Sequence, residues 1–580
     1  MLSFIILLKD VCLFFSAFIS CYAKNEDFGS STVVKAIIQI LIALLGAFYY
    51  LHAQEALKTS MFDMKLFTQH LSKLGSDSLE GRAPGTPGGN LAAKYLANEF
   101  AKIHLKQFSS KTKYYQHIPF HGSKALYNSK LNIRFGSEAI GFRLKEDFLM
   151  YNTNNPVFIP NETPMVFAGY GISAPEFDYN DYHDLDVEGK IVVFLDGEPY
   201  SEDPDYFNGA LPSIYSLPES KQRIALSRGA RGSILIPLYS NIKSDDWEKA
   251  VHDFSFENLT LATSPSTNFD IIINPQIAGL LFTGSGYTLN ELLEMQSSTR
   301  VKSFPLNGLL TFQGSFKQRD FVSPNIIGIV EGDDANHKDT YVIVSAHYDH
   351  LGIGTAVKGD SIYNGVFDNA AGVSALLEIA RVFSDTAYYK RRSIIFLLLT
   401  AEEYGLLGSE YYIQNPILPL YKTVANINID GIASYDRFKS YVALGAEFSS
   451  IQSFVNNAAE IRGLKRTEIS EKFKRENSFA KSDQFSFAKA GIPSILITEG
   501  TDYENISSEE GIAKLIEFAR NIYHSPFDDL TQTINYDAVK QHIDFIFGVI
   551  DELVNSENKP EWNFNSPFRY ARILSQKRLK

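Results

Sequence analysis

At 580 residues the chain is longer than one compact core accommodates, so at least two domains are expected. With 45% hydrophobic and 21% charged residues it is globular rather than disordered. A formal net charge of -13 argues against a nucleic-acid partner and suits a soluble protein, while saying nothing about substrate.

Both cysteines, Cys12 and Cys21, lie near the N-terminus. The remaining chain can form no disulfide, and any metal ligands in it must be His, Asp or Glu. Residues 2–20 are mostly apolar but are interrupted by Lys9 and Asp10, and a polar stretch follows from Lys24 to Thr32. Lys35 then precedes a clean apolar run, Ala36 to Leu51, that ends at His52-Ala53-Gln54. A lysine, an apolar run and a small residue read as a secretory signal peptide cut after Ala53. Residues 1–53 are then a leader region, and the hypothesis is that the true start is Val34, with residues 1–33 not part of the translated protein. The alternative is a two-segment membrane anchor, although the second run is short for a span. Lipid attachment at Cys21 is a minor option, because Phe18-Ile19-Ser20-Cys21 matches a lipoprotein cleavage site poorly. The expected protein is therefore exported, to a periplasmic, extracellular or cell-surface location, with no stable membrane partner once the leader is removed.

The spacing over Asp63 to Lys73 predicts an amphipathic helix. Ser78 to Gly89 is rich in Gly and Pro and reads as a loop that either packs or borders a site; Asn90 to Ile103 returns to helical spacing. Residues 115–150 alternate as strands do. Asn, Pro and Thr around Tyr151 to Pro164 mark a boundary. From Met165 to about Leu310 come short strands and turns whose histidines, His183 and His252, are isolated and carry no catalytic constellation. From Asn325 the rhythm becomes β/α. Strands are expected at Asn325–Val330, Tyr341–Ser345, Ser393–Leu399, Val424–Ile429 and Ser494–Ile497. Helices are expected at Ala370–Phe383, Phe448–Ile461, Gly511–Ile522 and Tyr536–Val554. Continuous apolar strands such as Ile394 to Leu399 are buried on both faces, as in a mostly parallel sheet covered by helices. The tail from Asn558 is polar and basic and reads as a surface extension.

Functional groups of open α/β sheets gather beyond the carboxyl ends of the strands. His347, the pair Glu402-Glu403, and Asp430 each follow a predicted strand, and Asp368 sits in a Gly/Asn loop that opens a helix. Clustered carboxylates repel and are costly to desolvate, and cations remove that cost. Imidazole and carboxylate without thiolate suit catalytic zinc and, less selectively, cobalt or manganese. Two metals about 3.5–4 Å apart need a bridging ligand, which a carboxylate can supply and an imidazole cannot. Glu402 and Glu403 diverge from one strand end, so that one can ligate while the other acts as general base. Asp349, two residues after His347, is placed to orient that imidazole. Taken alone, His524 lies in an exposed-looking turn, Tyr523 to Asp529.

These residues resemble the M28 family of zinc aminopeptidases and carboxypeptidases. The matching pieces are Ala346-His347-Tyr348-Asp349-His350-Leu351-Gly352, Gly365 to Gly372, Thr400 to Ser409, Asn428-Ile429-Asp430 and Tyr523 to Asp528. The resemblance implies a zinc-exopeptidase fold, a mixed, mostly parallel α/β sheet sandwiched by helices, over residues 54–145 and 311–557. It implies two Zn2+ per chain, one held by His347 and Asp430 and the other by Glu403 and His524. Asp368 would bridge them, Glu402 would be the base and Asp349 would orient His347. Residues 146–310 resemble the β-rich protease-associated domain often inserted in this family, and residues 558–580 form a tail. Two positions depart from the family pattern: Gly431 stands where a larger apolar residue is common, and Gln484 where histidine is common. The implied activity is an aminopeptidase acting on peptide substrates. Alternatives are a carboxypeptidase or dipeptidase with the same centre, and a non-catalytic receptor-like binding protein. A single-zinc glutaminyl cyclase accords less well with the full ligand set.

Overall fold

The apolar runs Ser393–Leu399, Tyr341–His347, Thr423–Asn428 and Ser494–Glu499 are four neighbouring parallel strands, in that order across a sheet. Every residue of Ser393–Leu399 is buried, as an unbroken apolar run requires when both faces of the sheet are covered. Isoleucines and leucines of one parity, including Ile343, Ile395 and Leu397, meet Tyr412 and Phe487 of the helices Leu407–Gln414 and Gln484–Lys489. Phe396, of the other parity, faces Phe383 of the helix Ala371–Ser384, which stacks on Phe547 of the helix Tyr536–Asn555. Antiparallel strands flank this parallel centre. Phe316–Val330, Tyr115–Ala125 and Asn258–Leu261 follow on one side, and Ser440–Leu444 on the other.

A computed structural model describes residues 61–151, 157–203, 205–209, 212–238, 244–264, 268–295, 301–469 and 478–577. Met64–Lys580 forms one compact unit; of the other unit, Met1–Asp63, only residues 61–63 are described. The signal segment, the Val34 start and both cysteines thus lie outside the described residues. No helix among the described residues is long and apolar enough to cross a membrane.

A second, eight-stranded sheet is drawn from residues 130–313. It begins at Lys130, ahead of the boundary expected near residue 146, because Lys130–Phe135 pairs with Ser303–Gln313 instead of extending the first sheet. Asn258–Leu261, by contrast, leaves this region and adds to the edge of the first sheet. The C-terminal tail differs from the expected surface extension. Two of its four aromatics, Trp562 and Phe568, are buried against Leu406 and Phe485, and Trp562 Nε1 donates to the Gly491 carbonyl. Burying two rings is what docks an otherwise polar segment.

Within the stretch expected as a Gly/Pro loop, Asp77–Arg82 forms a 3-10 turn that leads through Thr86, whose hydroxyl caps the helix Pro87–Lys102 by accepting the Gly89 N–H. Glu80, Gly81 and Arg82 all have positive φ. Gly81 has no alternative, since a Cβ there would lie 2.2 Å from the Tyr363 carbonyl oxygen.

Candidate metal centre

His347 is the last residue of its strand, so its imidazole projects from the carboxyl rim. Thr400 ends the neighbouring apolar run, and Ala401, at φ 58°, turns the chain sharply enough to present Glu402 and Glu403 at the same rim. Asp430 follows Thr423–Asn428 by two residues. Asp368 lies just before the helix Ala371–Ser384, in a loop that Gly365 makes possible. Gly365 has φ 59°, and a Cβ on it would lie 2.5 Å from the His350 ring. His524, at φ 56°, arrives from the turn after Ile522.

All five expected ligands and the expected base converge. His347 Nε2 lies 3.2 Å from Asp430 Oδ1 and 3.2 Å from Asp368 Oδ1. His524 Nε2 lies 3.0 Å from Glu403 Oε2 and 3.3 Å from Asp368 Oδ2. The two oxygens of Asp368 therefore face two different imidazoles, each with its own second carboxylate. Around a tetrahedral zinc with bonds near 2.0–2.1 Å, neighbouring ligand atoms sit about 3.3 Å apart. All four separations lie close to that edge length. Although they are neighbours, Asp368 Oδ2 and His524 Nε2 form no hydrogen bond, which leaves both buried atoms for another partner. The donor set of imidazole and carboxylate, its spacing and its orphaned atoms fit two divalent cations. Donor atoms of Glu402, His347 and Asp430 also come within 4.8 Å of one another, which puts the expected base beside these two side chains.

The electrostatics are those of a cation site. Burial favours neutral carboxyls and imidazoles, and here it competes with strong mutual attraction. Burial would lower His347, but Glu402, Asp430 and Asp368 outweigh it and hold the imidazole well above its usual range. His524 is likewise pushed up to about 10 against burial by Glu403 and Asp368. For Asp368 the two imidazoles overcome burial and keep the carboxyl well below its ordinary value. Burial, partly relieved by His347, holds Glu402 well above the carboxylate range.

Several residues that the sequence left without a role complete the site. His350, fully buried, points Nδ1 at Glu403 Oε1 and so orients that carboxylate. Asn369 donates to the Ile429 carbonyl at 2.8 Å and accepts the Gly431 N–H at 3.0 Å, tying the Asp368 loop to the Asp430 loop. His347 Nδ1 donates to the backbone carbonyl of Asp349 at 3.2 Å, whereas the carboxylate expected to orient it lies 3.9 Å away. That carboxylate accepts the Glu402 N–H at 3.2 Å instead. Gln484 accepts from Asn428 at 3.0 Å as part of the polar packing beneath the rim. The centre opens into a cleft of about 820 Å³ that Arg223, Asp270, Lys481 and Tyr523 also line. Leu217, Leu444 and Phe485 line both this cleft and an adjoining, largely apolar cavity of about 580 Å³.

A largely parallel sheet centre that gathers imidazoles and carboxylates at its carboxyl rim, spaced for divalent cations, is the arrangement of a metal-dependent hydrolase. Residues 325–550 match the family model described as Peptidase family M28. The aminopeptidase YwaD of Bacillus subtilis (strain 168) is 29% identical over 243 residues, which are 41% of this chain and 46% of that relative. A probable glutamate carboxypeptidase of Arabidopsis thaliana is 26% identical over 249 residues, 41% of this chain and 30% of that relative. The matched stretches thus span less than half of either relative. The solved structure of an aminopeptidase from Aneurinibacillus sp. strain AM-1 aligns with a TM-score of 0.52 over 86% of this chain and 98% of that one. At 18% identity, that likeness bears on the fold alone.

Proposed function

We propose that the protein is a zinc-dependent exopeptidase that hydrolyses the N-terminal residue of peptides. The observation that carries this reading is Asp368, whose two oxygens lie 3.2 and 3.3 Å from the imidazoles of His347 and His524. His347 and Asp430 would hold one zinc, Glu403 and His524 the other, with Asp368 shared. When bound, the ions supply Lewis acidity, which acidifies water and polarises a carbonyl. The chain's own groups do the rest. Glu402, at the base of the cleft, takes the proton of the attacking water and returns it to the departing amine. Its backbone is fixed by Asp349, which places the carboxyl relative to His347. Tyr523 stacks on His524 with ring centroids 3.8 Å apart. Its phenol lines the cleft, where it can donate a proton to the oxygen that gains charge.

The experiment is hydrolysis of matched free-amine and N-acetylated peptides by zinc-loaded protein, alongside metal analysis. Two zinc ions per chain and cleavage of the free-amine peptides are expected. Cleavage of blocked peptides alone would support a second reading, a carboxypeptidase or dipeptidase with the same centre. Arg223 and Lys481 in the cleft favour that reading, as cations able to hold a substrate carboxylate. Absence of bound zinc and of turnover would defeat both.

The region 146–310 is read as a protease-associated insertion that shapes access, which is supported by Leu217, Arg223 and Asp270 lining the cleft. Export is supported by the run Ala36 to Leu51 after Lys35. N-terminal sequencing of the native protein should return Gln54; any peptide from residues 1–33 would rule out the Val34 start.

A further inference from the structure

Arg82 lies outside every motif assigned above. Its guanidinium is buried, with 1% of the residue exposed. All of its hydrogen bonds end on backbone carbonyls: Nε on Tyr348 at 2.7 Å, Nη1 on Leu74 at 2.6 Å and Asn364 at 2.5 Å, and Nη2 on Gly365 at 2.9 Å. Tyr348 follows the ligand His347 directly. Asn364 and Gly365 open the loop that ends in Asp368. The loop carrying Arg82 is itself locked. Glu80 and Arg82 hold left-handed φ values of 49° and 54°, which non-glycine residues adopt at some cost. Asn364 returns a bond to this region, donating to Asp77 Oδ1 at 2.9 Å.

Burying a guanidinium without a hydrogen-bonded carboxylate is unfavourable, and four carbonyls compensate it only if all four stay in place. The same planar fork that satisfies the charge therefore fixes the spacing between the loop that bears His347 and the loop that bears Asp368. That spacing sets the 3.2 Å separation of His347 Nε2 from Asp368 Oδ1. The cation also lies in the field of Asp349, Asp368 and Glu403, and so opposes their mutual repulsion before any metal is bound.

We infer that Arg82 is a positioning residue for the metal centre, an inference that rests on the zinc site proposed above. It holds the His347 and Asp368 loops in register so that the pocket exists before zinc enters. A lysine at this position keeps the charge but presents three donors from one point, and cannot span carbonyls on three separate segments.

The test compares metal-free wild type with Arg82→Lys and Arg82→Gln, measuring zinc affinity by competition with a chromophoric chelator and thermal midpoint in the same metal-free samples. Affinity about tenfold to a hundredfold weaker is expected for Arg82→Lys, the range typical of losing a partner that orients a ligand. Its metal-free midpoint should fall as well, because carbonyls that the lysine cannot reach are left unsatisfied, so the affinity decides. Wild-type affinity in Arg82→Lys would overturn the inference. So would a lowered midpoint with unchanged affinity, because a merely structural arginine behaves that way. If Arg82→Gln does not fold, the lysine variant decides alone. A wild type that takes up no zinc would defeat the proposed metal centre instead, so the two failures are distinguishable.

Discussion

Asp528 bolts the turn that carries His524 to the loop that carries Asp368. Its two carboxylate oxygens accept the N–H groups of Phe367 and Asp368 at 2.8 and 3.0 Å, and its backbone carbonyl accepts the Val366 N–H at 3.1 Å. The bridging carboxylate is thus held from the His524 side by Asp528, as Arg82 holds its loop from the His347 side. Asp528→Asn turns one acceptor into an N–H2 that opposes a backbone N–H, leaving a buried donor unpaired at a cost of about 1–3 kcal/mol. The turn and the loop should separate, and His524 should lose register with Asp368. Isothermal titration with zinc should show a weaker second site, and an isotherm like the wild type would mean that Asp528 does not brace the pair.

Glu402→Gln keeps the size and removes the base. Turnover should fall by about 10²–10⁴-fold, the range of general acid–base assistance. Zinc content measured by elemental analysis should not change. Because Glu402 donor atoms also approach His347 and Asp430, a fall in zinc content would make Glu402 a ligand, and near-normal turnover would assign the base elsewhere.

The parts of the site that were legible in sequence were those that chain-local patterns place. Ser393–Leu399 is an unbroken apolar run, so the acids after it could stand only at a rim; the same holds for His347 and Asp430. His524 was different. Its turn has no periodic pattern, and only the bonds from Asp528 to a loop some 160 residues earlier bring it to Asp368. Arg82 and His350 were opaque for the same reason, since their partners are distant carbonyls or a carboxylate on another strand end. The second sheet was half legible. The alternation over residues 115–150 marked strands there, but the choice between sheets depended on the pairing of Lys130–Phe135 with Ser303–Gln313, which local pattern does not encode. The tail misled because its average polarity hid two rings, Trp562 and Phe568.

His350 should act through one nitrogen. Nδ1 alone contacts Glu403, while Nε2 makes no hydrogen bond. Asparagine places an amide nitrogen where Nδ1 stands, whereas leucine places none. His350→Asn should therefore keep most of the zinc affinity, and His350→Leu should lose about tenfold or more. Equal affinities for the two variants, measured by equilibrium dialysis, would remove His350 from the set of residues that orient the metal ligands.

Asp270 makes a prediction for pH. Its carboxyl is buried beside Ser233, whose hydroxyl donates to it at 2.6 Å, and burial pushes its pKa up to about 7. In the unfolded chain it ionises near 3.9. Below that value it is neutral in both states. Between there and 7 the unfolded chain releases its proton first, so stability falls as pH rises, and the loss is complete once the folded carboxyl has ionised. Asp270→Asn is neutral throughout and keeps an acceptor for Ser233. The variant should match wild type near pH 4, gain steadily through pH 5 and 6, and level off above about 7 with an advantage of a few kcal/mol at most. Urea midpoints measured across that range give the curve directly. A difference between the two proteins that does not vary with pH would mean that Asp270 ionises at the same pH in the fold as in the unfolded chain.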